Sequence, residues 1–297
     1  APDHRGMDKQ DAARRLLLDL ACASRPVGAA RLAAVSPAGW DAIARAARQH
    51  RLGPLLDHRY REAAGIPAPI RAAWAQDRLF WACNALAVRA ELAACTAILA
   101  SRRLTPIVLK GAFLAWHVYP VPDLRPLRDL DLLLAPGDAQ RAFDALRDAG
   151  YTVASDHVQP GERPTGATGA ATQGKHLDPL ISPHGVIVEL HRQLWETDGT
   201  LDHRLPAADL AAITARAVTL GEHCFLSPSD LLAHLIVHGI HSHRLDCGPL
   251  LVWDIALLAG RTAIGWSALW DRARAEGWSE AAGLAVALVR RFRGAEA

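Results

Sequence analysis

PIVLKGAFLAWHVYPVPDLRPLRDLDLLLAP, residues 106–136, carries two patterns in succession. Ile107-Val108-Leu109 is a short apolar run broken at Lys110-Gly111. Phe113, Leu114 and His117 then recur at helical spacing as far as a proline-rich turn. From Leu127 to Leu134, Arg128, Leu130 and Leu132 alternate with Asp129 and Asp131, and on a strand that period of two puts both aspartates on one face. Such a face is wet, paired or metallated, because an unpaired buried carboxylate is costly. Mg²⁺ (or Mn²⁺) suits the pair, since a hard cation takes one or two carboxylates and fills its remaining positions with water and substrate phosphates. The turn at Lys110-Gly111, between strand and helix, offers backbone N–H groups and a positive helix end to an anion. Arg125 and Arg128 add positive charge close by in sequence. The same residues also fit a solvated edge strand after an ordinary turn, and the short motif alone does not separate the two.

Order and context do. With LKGAFLAWHVYP and RPLRDLDLLL followed downstream by VIVELHRQLWE, the chain resembles the DNA polymerase beta-type nucleotidyltransferase superfamily. More closely, it resembles the bacterial group of uncharacterised nucleotidyltransferases. The matching blocks lie between Pro106 and Leu258. The resemblance implies an α/β (α+β) nucleotidyltransferase fold and a metal-dependent transfer of a nucleoside monophosphate from an NTP to an unknown acceptor, whether small molecule, peptide or protein. It implies that Asp129, Asp131 and Glu189 are catalytic and hold the metal. Phosphate binding falls to Lys110, Gly111 and Ala112 at the turn, with Arg125 and Arg128. The superfamily usually has Gly-Ser at that turn. Here Gly111-Ala112 lacks the hydroxyl, so a relative that binds nucleotide or a partner without catalysis stays open.

Composition narrows the classes. The 297 residues suffice for a full core. With 33 basic and 31 acidic residues the net charge is only +2, which argues against a dedicated nucleic-acid binder. Charges interrupt the apolar runs, so no membrane-spanning helix is expected. Asp8, Asp11 and Asp19 break up any signal-peptide core, and Met7, the single methionine, is the expected native start. Cys22, Cys83, Cys95, Cys224 and Cys247 show no CxxC spacing and read as reduced thiols of a cytoplasmic protein.

Three regions are expected: N-terminal helices over 1–103, an α/β core over 104–226 and C-terminal helices over 227–297. Ser36-Pro37 opens a helix as N-cap and N1. Pro67 to Arg102 reads as one long helix or a broken pair, whose broad stripe through Ile70, Trp74, Phe80, Trp81, Leu86, Val88 and Leu92 predicts packing on two sides. A helix from Pro136 ends at Gly150. Gly161 to Gly174 reads as a flexible loop, and Lys175 and His176 after it are expected in solvent unless the loop closes over phosphate. Ser182-Pro183-His184-Gly185 predicts a hairpin whose second strand holds Glu189, a carboxylate in an otherwise apolar run. His191 is expected on the opposite face.

His234, His238 and His241 share one helical face. Without an HExxH pattern or cysteine partners they are expected to pack beside the site, bonded to groups such as Asp254, rather than to hold zinc. A zinc hydrolase and a helical interaction module are the remaining rivals. Finally, three converging carboxylates raise at least one pKa by mutual repulsion, and on that ground Asp131→Asn is expected to raise the melting temperature without metal.

Overall fold

The computed structural model describes residues 4–154, 174–197 and 205–293, so all of the glycine-rich segment except Gly174 lies outside the described residues. Five N-terminal helices come first: α1 (His4–Cys22), α2 (Ala29–Ala33), α3 (Pro37–Gln49), α4 (Gly53–Tyr60) and α5 (Ala68–Ser101). Strand β1 (Ile107–Val108) follows, then α6 (Lys110–Phe113), which runs on as a π-helix over Leu114–Val118. β2 (Asp129–Leu133), α7 (Pro136–Asp148), β3 (Thr152–Val153), β4 (Leu180–Ile181), β5 (Ile187–His191), α8 (Leu210–Arg216), β6 (Val218–Leu220) and β7 (His223–Phe225) complete the core. The chain then continues through α9 (Pro228–Ile236), a π-helix over Val237–Ser242, α10 (Leu250–Arg261), α11 (Trp266–Glu276) and α12 (Ser279–Arg293).

Among the described residues the strands form one mixed seven-stranded sheet in the order β3-β4-β5-β2-β1-β7-β6. The expected α/β core is therefore present, with β2 and β5 adjacent at its centre. They run parallel with Asp131 opposite Glu189, while β1 is antiparallel to β2 and parallel to β7. The expected β4–β5 hairpin forms around Gly185, whose φ of +81° needs a glycine. The second hairpin, β6–β7, was not legible in the sequence, because three-residue strands are too short to show a period. Leu130, Leu132, Val188 and Leu190 are fully buried on the far face of the sheet, which leaves the opposite face of β2 and β5 for charge.

Ser36 caps α3 by accepting a hydrogen bond from Gly39 N–H at 3.2 Å, with Pro37 at the first turn. Helix α5 is a single 34-residue rod, the first of the two forms its pattern allowed. Its two-sided packing is not observed. Trp74, Val88, Leu92, Cys95 and Leu99 are buried, whereas Phe80 and Leu86 are 62% and 69% exposed. The helix is apolar nearly all round because it is rich in alanine, and such a pattern gives no direction. By length and composition it is also apolar enough to cross a membrane. Length and composition alone do not make it a membrane span, and one stripe of it is packed into the protein.

One of the charges in α5 is buried. Glu91 accepts a short hydrogen bond from the Tyr151 hydroxyl, and Cys95 Sγ lies 3.4 Å from that same hydroxyl. This ties α5 to the start of β3. Tyr151→Phe removes that donor and leaves the buried carboxylate oxygen with only the weak Cys95 Sγ donor at 3.5 Å, so a loss of about 1–3 kcal/mol is expected in urea unfolding. An unchanged unfolding midpoint would show that water satisfies Glu91 instead.

The terminal helical regions meet each other. α1 packs against α10 and α12, and the Trp253 indole N–H bonds to the Ala21 carbonyl. The His50 ring lies against Gly248, where φ is +76° and an added Cβ would come within 2.6 Å of Nδ1. The end of α3 is thereby fixed beside the segment leading into α10, and both border the charged face of the sheet.

Candidate active site

On that face, the period of two along β2 presents Asp129 and Asp131, and the period of two along β5 presents Glu189 and His191. His191 therefore shares the face of Glu189. The expectation that it lies opposite is corrected, since residues two apart on a strand point the same way. The His191 ring is fully buried between the carboxylates, with Nε2 2.8 Å from Asp131 Oδ1 and 3.4 Å from Glu189 Oε2. From the other side, Lys110 Nζ reaches Asp131 Oδ1 at 3.0 Å. Lys110 sits at the strand-to-helix turn with φ at +40°, in the left-handed region that a non-glycine residue seldom adopts. Such local strain clusters at functional sites.

The charges are unevenly settled. Burial raises the pKa of Asp131, but the Lys110 ammonium and the hydrogen bond from His191 overcome it and hold the carboxyl well below the usual range. Glu189 is lowered too, its burial outweighed by the hydrogen bond to His191. Asp129 has no such partner. Burial, then repulsion from Asp131, pushes it up to about 6, and Arg128 stands off at 3.9 Å. The expected raising of one carboxylate falls on Asp129.

The donor set fits a hard divalent cation. Asp131, Glu189 and His191 each present a ligand atom, all within 4.8 Å of one another, and it is the carboxylate oxygens, with those of Asp129 beside them, that suit a hard ion. The groups now closest to these carboxylates are themselves an ammonium and an imidazole.

The face opens into a cleft of about 610 Å³, a size typical of small-molecule sites. Lys110, Gly111, Arg125, Arg128, Asp129, Asp131 and Glu189 all line it. Ala112 does not. Its methyl group is buried, so the side chain after Gly111 is turned into the core here. Gly111 allows close packing as well, since a Cβ there would lie 2.7 Å from Leu127 Cδ2. Arg125 is already engaged: its Nε donates to Asp254 Oδ1 at 2.7 Å and its Nη1 to the Pro126 carbonyl at 2.7 Å.

Several lining residues were not foreseen. His50 and Arg51 arrive from the end of α3, and His243 and Cys247 from the segment before α10. Nothing in a single sequence places these beside a distant strand. Of the three histidines expected on one helical face, His238 stacks on His234 at 5.6 Å, and it meets His243 at 4.3 Å. Burial, then the Lys110 charge, keeps both His234 and His238 well below the usual imidazole range, hence neutral at pH 7. Neither His234 nitrogen has a hydrogen-bond partner among the described residues. Asp254 is not the partner expected for them, because it serves Arg125 and Tyr119.

The Asp129 shift gives a pH prediction. Its folded pKa lies above 3.8, so the native state holds the proton more tightly and stability falls as pH rises from about 4 through about 6. Asp129→Asn removes that loss. In EDTA the variant is expected to exceed the wild type by on the order of 1–2 kcal/mol at pH 8, discounted for partial exposure, and by little at pH 4. A stability difference independent of pH would contradict the assignment.

A comparison with curated proteins gave no match. The model of the family described as uncharacterised nucleotidyltransferase matches residues 36–294, which takes in the sheet, the turn at Lys110, the carboxylate face and the helices on either side. The match spans the whole arrangement rather than one motif, and the chain belongs to that family.

Proposed function

We propose that this protein transfers a nucleoside monophosphate from an NTP to a nucleophile on a small molecule or peptide, with Mg²⁺ or Mn²⁺ held by Asp129, Asp131 and Glu189. The observation that carries this is the parallel register of Asp131 with Glu189 on adjacent central strands, which gathers three carboxylates beside a cationic turn. In the reaction the acceptor oxygen bonds to the α-phosphorus, the bond to the bridging oxygen breaks, pyrophosphate leaves, and the acceptor loses one proton. When bound, the metal supplies positive charge against the phosphates and lowers the pKa of the attacking group. Lys110 balances Asp131 and adds to the positive field. Glu189 would complete the metal site on the acceptor side or take the acceptor's proton. Arg128, its side chain 62% exposed at the rim, offers charge to an incoming phosphate.

The test is α-labelled NTP with Mg²⁺ and candidate acceptors, following label transfer and pyrophosphate release. Transfer lost in Asp131→Asn and Glu189→Gln supports the proposal. The buried Ala112 favours a second reading, a relative that binds nucleotide without reacting. That reading is selected if NTP binds in a metal-dependent way and no pyrophosphate appears. Absence of NTP binding rejects both.

A further inference from the structure

The cations around this cleft are not equally free. Lys110 is committed to Asp131 and Arg125 to Asp254. Arg51 is only part-buried and Arg128 is largely exposed, so water meets their charge. Lys175 differs from all four. It is only 8% exposed and lines the cleft. Among the described residues no carboxylate lies within ion-pair distance of it and its ammonium makes no hydrogen bond.

Its position is built into the sheet. The Lys175 carbonyl accepts the N–H groups of Arg192 at 2.7 Å and Gln193 at 3.2 Å. His176 forms an antiparallel bridge to His191, and the Arg192 guanidinium bonds to the Gly174 carbonyl at 2.7 Å. Lys175 is thus held against the end of β5, on the side of the carboxylates away from β2 and Lys110. The expectation of a solvated lysine is overturned.

A buried ammonium without an anion is costly, and proteins keep one where a partner completes it. Burial first, then repulsion from Lys110, lowers its pKa, in keeping with an unmet charge. Asp131 is already answered by Lys110 and His191 and Asp254 by Arg125, and Asp129 lies nearest Arg128. No carboxylate among the described residues is placed to answer it, and the cleft that Lys175 lines leaves room for an anionic ligand.

We propose that Lys175 is the polyphosphate anchor of this cleft, receiving the phosphate chain of the donor. That the polyphosphate belongs to an NTP rests on the function proposed above; that an anion of this class binds at Lys175 rests on the geometry alone.

Inorganic tripolyphosphate in EDTA, titrated calorimetrically into the full-length protein, separates the two. The wild type is expected to bind it and to melt higher with it. Lys175→Met is expected to bind it on the order of 30-fold more weakly, as for loss of one partner of a buried charge pair. Without ligand, the same variant is expected to melt higher than the wild type, because the unmet charge is gone; a merely structural lysine would lower it. Lys175→Arg, which keeps the charge, is expected to retain most of the affinity.

Wild type that binds no tripolyphosphate, or Lys175→Met that binds it equally well, overturns the proposal. Loss of binding in Lys175→Met, with no NMP transfer by the wild type, leaves the anchor standing and removes the transferase reading. Transfer with an unchanged KM for NTP in Lys175→Met does the reverse.

Discussion

Replacing Asp131 by Asn is expected to abolish NMP transfer, by at least about a thousandfold on the scale of lost preorganised charge in active sites. It is also expected to lower the stability of the metal-free protein by about 3 kcal/mol. Both effects come from one atom. Asp131 Oδ1 is bonded to Lys110 Nζ at 3.0 Å and to His191 Nε2 at 2.8 Å, and the carboxyl is held well below its ordinary pKa. Its contribution is therefore present above the unfolded pKa and fades only as pH falls through the folded value. An amide in its place leaves the nearly buried Lys110 ammonium facing a neutral group. This reverses the expectation from sequence, which treated the carboxylates as equivalent and assigned relief of repulsion to Asp131→Asn. Relief belongs to Asp129→Asn, because Asp129 is the member without a close cation. Thermal melts of both variants in EDTA at pH 7.5 (a pH chosen above about 6 so that Asp129 is ionised) check this: the two shifts have opposite sign. Shifts of the same sign would show that the countercharges are distributed differently.

The second large effect is expected at Asp254→Ala, with a loss of about 3–5 kcal/mol in urea unfolding. Asp254 Oδ1 accepts from Tyr119 at 2.8 Å and from Arg125 at 2.7 Å, and the carboxylate is almost completely buried. Its removal strands a buried guanidinium and a buried hydroxyl. Tyr119 and Arg125 belong to the segment between the π-helix and β2, so the same change frees the chain that sets the register of Asp129. Transfer activity is expected to fall even at temperatures where the variant stays folded. Asp254→Asn, which keeps an acceptor for Tyr119, is expected to lose less. Wild-type stability in the alanine variant would mean that Arg125 finds another anion.

Much of the site was legible because strands and turns write local rules into sequence. Asp129 and Asp131 were placed on one face by a period of two, and Glu189 stood out as a charge in an apolar run. The Lys110-Gly111 break marked the strand-to-helix turn. What a local rule cannot give is the neighbour across a long loop. The parallel register of Asp131 with Glu189 is set by tertiary packing, and so are the approach of His50 and Arg51 from α3 and the engagement of Arg125 by Asp254. His191 is a different case, since its face follows from its spacing to Glu189 and was within reach of the sequence. Lys175 was misplaced because its glycine-rich flank reads as solvated. Its burial depends on a backbone ladder to Arg192 and Gln193 that no pattern shows. In α5 the abundance of alanine hid which side faces solvent, leaving Phe80 and Leu86 exposed where packing was expected.

The claim on which the rest depends is that Asp129, Asp131 and Glu189 act together on a divalent cation. Mn²⁺ titration followed by electron paramagnetic resonance, in the presence of a non-hydrolysable NTP analogue, measures this directly, because bound Mn²⁺ leaves the free-ion signal. Wild-type protein is expected to remove Mn²⁺ from that signal saturably, and Glu189→Gln and Asp131→Asn, shown to be folded by circular dichroism, are expected to remove little. Equal uptake by the wild type and both folded variants would contradict the account and place the metal elsewhere.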